Sequence, residues 1–262
     1  MGERKKYRRG RRKKKKGGII STLILIIAIA VFCVSGYQLY KIFGGYHQGK
    51  SEYDKVREVA VHGDDKDEDE FVVDFDELKK INADTVGWIR FYPEPSQISY
   101  PLVQTTDNDL YLNRTFSANE NTVGAIFVNC DNASDFSDRN TIIYGHRMRD
   151  HSMFHDLEKY KDESFWKENP YFYIYTPDGR KLTCHIYSAG IVKDTSSTYL
   201  TQFTSDEEYQ AFLDDTKRAG AYHTGVEVTT DQRVVTLSTC TAASDDNRMV
   251  VRGVIESEDV VK

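Results

Sequence analysis

The 262-residue chain has little cysteine: four residues, at positions 33, 130, 184 and 240. Cys33 falls inside an apolar run, so three remain for the folded part. With an odd number, at least one thiol is free unless it pairs between chains. There is no Cys-x-x-Cys and no cysteine–histidine pair at zinc-finger spacing, which argues against a structural zinc site. No internal repeat is present. The acidic run from Asp64 to Glu70 lacks the glycine and the terminal glutamate spacing of a calcium loop, and it reads as a solvated linker. Between Ile19 and Tyr37 there is no charge at all.

That uncharged stretch is nineteen residues of mostly Ile, Leu, Val and Ala. As a helix it measures roughly 28 Å, about the hydrocarbon thickness of a bilayer. A cleaved signal peptide is the rival reading. The run is long for one, and no small-x-small cleavage site follows. Ahead of it, residues 1–16 hold eleven Lys or Arg and one Glu, a charge of +10 within a chain whose net charge is -6. The remainder therefore carries -16. Alone, such a basic head is compatible with nucleic acid. Beside an apolar run it is expected to meet anionic lipid headgroups and to hold the N-terminus in the cytoplasm. The expected organisation is a basic cytoplasmic segment (1–18), a transmembrane helix (19–37), an extracellular stalk (38–70) and a folded domain (71–262).

The folded part reads as many short strands with few long helices. A short helix is expected from Asp74 or Asp76, with Phe75, Leu78 and Ile81 on one face. Strands are expected at 87–91, 100–104, 124–128, 140–144, 171–175, 181–189, 232–239 and 248–256. Thr176-Pro177-Asp178-Gly179 makes a hairpin of the fifth and sixth of these. A short helix is expected over 150–160, with Met153, Phe154 and Leu157 inward. The strongest helix after the apolar run is 205–219. There Ser205 and Glu208 form a capping box, Tyr209, Phe212 and Leu213 share a face, and Lys217 and Arg218 suit the C-terminal end of the dipole. The pattern predicts a mainly β barrel or sandwich with helices at its edge.

Candidate chemistry centres on Val234-Val235-Thr236-Leu237-Ser238-Thr239-Cys240, an apolar strand that ends on a thiol. A thiol reacts as thiolate and needs a cation or a base nearby. Arg248 is the first basic residue after it and stands near the strand mouth. Arg252 shares that strand face and is the rival. A guanidinium does not act as a base, but it stabilises a thiolate or an oxyanion. Of seven histidines, His146 ends an apolar strand after Gly145, where catalytic groups tend to be presented. His151 and His155 flank the short helix expected there, His185 lies mid-strand, and His47, His62 and His223 lie in stalk or loop. Cys130 and Cys184 read as small buried strand residues; a disulfide between them is the other reading.

Thr236-Leu237-Ser238-Thr239-Cys240 followed by Arg248 resembles the Thr-Leu-x-Thr-Cys…Arg signature of sortases, the cysteine transpeptidases of Gram-positive bacteria. Thr141-Ile142-Ile143-Tyr144-Gly145-His146 is similar to the segment that carries their histidine. Val86-Gly87-Trp88-Ile89, Tyr111-Leu112-Asn113 before a Gly-Ala-Ile-Phe strand, and the helix ahead of the last two strands resemble class B. The resemblance spans about residues 75–256. It implies an eight-stranded barrel with N-terminal helices and a helix between the sixth and seventh strands. It further implies Cys240 as nucleophile, His146 as general acid/base and Arg248 as the oxyanion or substrate holder. Asn113, Ser238 and Tyr144 fall at substrate-contact positions. The implied partners are secreted proteins with a C-terminal sorting signal, the membrane, and an amine of the peptidoglycan precursor; no cofactor, metal or nucleic acid is implied. Class B members often carry an acid directly after the cysteine. Here Thr241 stands there, and acids come later, at Asp245 and Asp246. Other readings are a pilin-polymerising sortase, a cysteine peptidase of another class, and a non-catalytic surface module with an inert Cys240. Papain-like enzymes carry their cysteine early, at a helix start.

Overall fold

The computed structural model describes residues 17–63, 70–242, 244 and 246–261. The basic segment 1–16, most of the acidic run and Asp245 lie outside the described residues. The chain divides into two compact units, Met1–Gly44 and Gly45–Lys262. Helix α1 (Gly17–Ala60) supplies the described part of the first. There its apolar side chains, Ile24 and Phe32 among them, are exposed. By length and composition this helix can cross a membrane.

In the second unit, residues 45–60, within the stretch expected to serve as a stalk, bury Tyr53, Val56 and Ala60 in the main core. The Tyr53 hydroxyl donates to the Gly124 carbonyl at 2.8 Å and accepts from the Phe116 amide at 3.2 Å. Two-residue strands β1 (Val61–His62) and β2 (Val72–Val73) pair next. Helix α2 (Phe75–Ile81) follows, capped by Asp74, whose carboxylate accepts from the Glu77 amide at 3.0 Å. Leu78 is fully buried, whereas Ile81, expected on the same inward face, is exposed.

Eight strands close into a barrel: β3 (Thr85–Phe91), β4 (Ser99–Val103), β5 (Ile126–Val128), β6 (Asn140–Tyr144), β7 (Tyr171–Tyr175), β8 (Arg180–Lys193), β9 (Val234–Cys240) and β10 (Asn247–Val260). The order around it is β10-β8-β7-β3-β4-β5-β6-β9. Two pairings are parallel, β4 with β5 and β6 with β9; the other six are antiparallel. Closure leaves no unpaired edge.

Successive β9 side chains point to opposite faces. Val235 and Leu237 enter the barrel core, while Val234 joins an outer cluster with Tyr209, Phe212 and Leu213. Those three belong to helix α4 (Asp206–Arg218), between β8 and β9, the sixth and seventh barrel strands. Each such side chain, buried, contributes about 1.5–3 kcal/mol. So β9 is covered on both faces, and every residue from Val234 to Thr239 is buried, the hydroxyl-bearing ones included. The α4 cap is half of the expected box. Ser205 Oγ accepts from the Glu208 amide at 3.2 Å, but the Glu208 carboxylate reaches back to the Thr204 amide rather than to Ser205.

Other expectations need correction. Residues 155–161 form a 3-10 helix, not an α-helix from 150. His151 and Met153 ahead of it have positive φ, which no α-helix accommodates. Met153, Phe154 and Leu157 are nonetheless buried. A further helix, α3 (Glu163–Glu168), is capped by Asp162. Cys130 lies in a turn after β5, partly exposed, not in a strand. All four cysteines are free, so Cys130 and Cys184 are not paired.

Candidate active site

Strand pairing explains how distant residues meet. Strands β6 and β9 run parallel, with Tyr144 level with Ser238. The pairing continues one step further, as the Gly145 amide donates to the Ser238 carbonyl at 3.2 Å. Two residues beyond that level pair stand His146, just past the end of β6, and Cys240, the last residue of β9. Strand β10 then returns antiparallel and sets Arg248 directly opposite Cys240. Opposed residues of this kind have Cβ atoms about 4.5–5.5 Å apart. Three side chains separated by about a hundred positions thus share one barrel rim.

They line a cleft of about 240 Å³ together with Tyr144, Gly145 and Ser238. Cys240 is exposed to it. His146 is half-buried, and its Nε2 lies 2.6 Å from the Leu112 carbonyl. A carbonyl only accepts, so Nε2 carries a proton and Nδ1 is the nitrogen left for acid–base work. A glycine makes room for this ring: a Cβ on Gly124, whose φ is +66°, would meet His146 Cδ2 at 2.7 Å. Gly145, beside His146, makes room instead for Phe154, whose ring a Cβ would meet at 2.8 Å. The Arg248 side chain is 25% exposed; its Nη1 donates to the Asn247 carbonyl at 3.1 Å, and Nη2 lies 3.8 Å from the Asp194 carboxylate.

Arg252, the rival cation, is fully buried. Its Nη1 donates to Ser188 Oγ at 3.0 Å and its Nη2 to Thr198 Oγ1 at 2.6 Å. Those contacts hold it between the sheet and α4, away from the cleft. Ser238 is in the cleft wall, with its hydroxyl 2.9 Å from the Tyr199 hydroxyl. Tyr144 stacks on Tyr199 with ring centroids 6.3 Å apart. Burial, with Tyr199 adding to it, pushes the Tyr144 hydroxyl up to about 12, and burial also raises Tyr199. Both stay neutral at physiological pH. Asn113 is exposed and does not line the cleft; its carbonyl accepts from the Asn121 amide at 3.0 Å.

Sequence reasoning missed Asn108, Leu112 and Phe127 in the lining, and Tyr199 behind Ser238. Leu112 stands beside the chosen Asn113, but its contribution is a backbone carbonyl, which no residue type announces. Tyr199 comes from a 3-10 turn, Ser197–Tyr199, capped by Ser196. That local cap was the available signal.

A thiol, an imidazole and a guanidinium on one rim of a closed β-barrel are the equipment of a cysteine acyl-transfer enzyme. Comparison with known proteins agrees. The sortase domain family model matches residues 94–256. Sortase B of Staphylococcus aureus is 31% identical over 231 residues, covering 88% of this chain and 93% of that protein. Sortase B of Listeria monocytogenes is 31% identical over 242 residues, covering 88% and 94%. Among solved structures, a sortase B from B. anthracis superposes with a TM-score of 0.71 at 32% identity, covering 84% of this chain and all of that one. The chain belongs to the sortase family of cysteine transpeptidases, and within it to class B.

Proposed function

We propose that this protein, anchored by the N-terminal half of α1 with its N-terminus in the cytoplasm, joins secreted proteins to the cell wall. The substrate is a C-terminal sorting signal, cleaved after a Thr. Cys240 passes its thiol proton to His146 and attacks the Thr carbonyl carbon, and the peptide C–N bond breaks as His146 gives that proton to the leaving amine. The result is a thioester on Cys240. An amine of the peptidoglycan precursor then attacks that thioester, giving up a proton to His146; the C–S bond breaks, the new amide departs, and His146 returns the proton to the Cys240 sulfur. Arg248 holds the substrate carbonyl or the oxyanion. Ser238 and Tyr144, in the cleft wall, contact the sorting signal.

The observation that carries this reading is the registered Cys240–Arg248 pair, with His146 on the same cleft. A related S. aureus sortase B, solved as a substrate complex, is 35% identical with a TM-score of 0.65 and supports a peptide substrate of this class. The apolar helix supports the anchor.

The test uses the full chain in detergent and a library of sorting-signal peptides. Mass spectrometry is expected to find an acyl adduct on Cys240 that an added amine discharges to an amide. Cys240→Ala should lose turnover by about four orders of magnitude or more while remaining folded. Peptide cleavage that survives in Cys240→Ala sinks the mechanism. Hydrolysis unaffected by any amine, oligoglycine, diaminopimelate or a pilin lysine peptide, points to a peptidase instead. Transfer only to the lysine peptide points to pilin assembly.

A further inference from the structure

Downstream of His146 the chain makes a tight excursion before the 3-10 helix His155–Lys161. Arg147 and Met153 form an antiparallel bridge, and the Phe154 amide donates to the His146 carbonyl at 2.9 Å. This loop therefore hangs from the residue that carries the imidazole. At its far side stand His151, His155 and Asp156, with one ligand atom from each lying within 4.8 Å of the others.

We propose that His151, His155 and Asp156 form a binding site for a divalent transition-metal ion of the zinc class. The donor set is two imidazoles and one carboxylate, with a water to complete four-coordination. Two nitrogen ligands select against calcium and magnesium, which take oxygen. The geometry is close to what the ion requires. His151 Nδ1 and one Asp156 oxygen are 3.1 Å apart, and the two imidazole ring centroids are 4.0 Å apart. Tetrahedral zinc with bonds of about 2.0–2.1 Å holds its ligand atoms roughly 3.3 Å from one another. The remaining closure falls to His151, whose side chain is 62% exposed and free to swing.

The surroundings already hold two of the ligands in place. His155 Nδ1 bonds the Met148 carbonyl. That contact makes Nδ1 the protonated nitrogen and turns the lone pair of Nε2 outward, the arrangement that orients metal-binding histidines. Asp156 is buried, and its second oxygen accepts from Lys159 Nζ at 2.9 Å, so the carboxylate is oriented and one oxygen remains for an ion. The nearby ammonium opposes the ion's charge and keeps the affinity moderate. Arg147 sits next to this loop but pairs with Glu158 at 3.1 Å, which offsets its charge. An ion here replaces the proton shared by His151 and Asp156 and clamps the loop that begins at His146.

The test is a Zn²⁺ titration of the untagged full chain in detergent, carried as Cys240→Ala so that the thiol cannot bind metal. Calorimetry is expected to find one ion per chain, and Zn²⁺ is expected to raise the melting temperature. Adding His151→Ala should weaken binding by about tenfold or more and abolish the thermal shift. His223→Ala, elsewhere in the same unit, should change neither. Co²⁺ should give the visible absorption of a four-coordinate site, lost with His155→Ala. Equal Zn²⁺ affinity with and without His151, or no binding at all, overturns the proposal. Asp156→Asn is a less suitable variant because the carboxylate also anchors Lys159 inside the fold.

Discussion

Strand β10 carries two arginines on one face, and the barrel uses them in opposite ways. Arg248 sits at the rim opposite an exposed cysteine. Arg252, level with Thr236, is wholly buried under α4. A second cysteine, Cys184, is also wholly buried, opposite Ile255 on the same strand. One end of the β8–β10 region thus holds a thiol and a guanidinium open to a cleft, and the other holds the same two residue types closed into packing. Residue type does not separate them; the layer that covers the sheet does. Further along the sheet, α4 supplies the Thr216 carbonyl, the turn Ser197–Tyr199 the Thr198 hydroxyl and β8 the Ser188 hydroxyl for Arg252. At the rim α4 does not cover the pair, and Cys240 is left exposed to the cleft with Arg248 partly exposed beside it.

The contrast is sharpest if the arginines are removed in turn. Arg248→Ala should lower kcat/KM by about 100- to 1,000-fold, as loss of an oxyanion donor does, and leave the melting temperature nearly unchanged. Its ion pair with Asp194 is long and partly exposed, so its contribution to stability is small. Arg252→Met should do the reverse, costing about 2–3 kcal/mol in denaturant unfolding as Ser188 and Thr198 lose a charged donor. Equal stability losses for the two would break the comparison. The cysteines offer a smaller version. Cys184→Ser should cost about 1–3 kcal/mol by burying a hydroxyl among apolar neighbours. Burial holds the Cys184 thiol well above the usual thiol value. Iodoacetamide mapping of the native chain should therefore find Cys240 labelled and Cys184 protected until unfolding. The smallest effect concerns Tyr144. Its hydroxyl is raised from 10 to about 12 in the fold. The associated stability is fully present below pH 10 and is lost as pH rises through about 12. Unfolding curves of Tyr144→Phe should fall less steeply across that window and match the parent at pH 7.

Much of this was legible from local pattern. Strands 140–144 and 171–175 have the expected bounds, and α4 lies within one residue of them, because each is set by its own periodicity, caps and turns. That Arg248, rather than Arg252, stands at the strand mouth beside Cys240 was also readable, from its spacing. Where reading failed, the deciding contact was non-local. Glu208 caps through Thr204, a choice made by the approach of the preceding chain. The loop before His155 is not helical, because its path is set by the bridge to Arg147 and by burial of Met153 and Phe154 in the core. The ring of His146 is oriented by a carbonyl thirty-four positions earlier, and side-chain patterns carry no trace of that.

Local pattern alone was enough for the apolar run long enough to span a bilayer, the strand inventory, and a strand that ends on a thiol and is followed by a basic residue. These follow from hydropathy, alternation and spacing, which act over a few residues. That β6 lies parallel to β9, and so that His146 and Cys240 leave the barrel at the same rim, came from the closed fold alone. Parallel partners are never neighbours in sequence; their pairing is fixed by closure of the whole barrel and by burial on both faces of its strands. The chemistry of each side chain was in the letters, and their meeting was a property of the closed sheet.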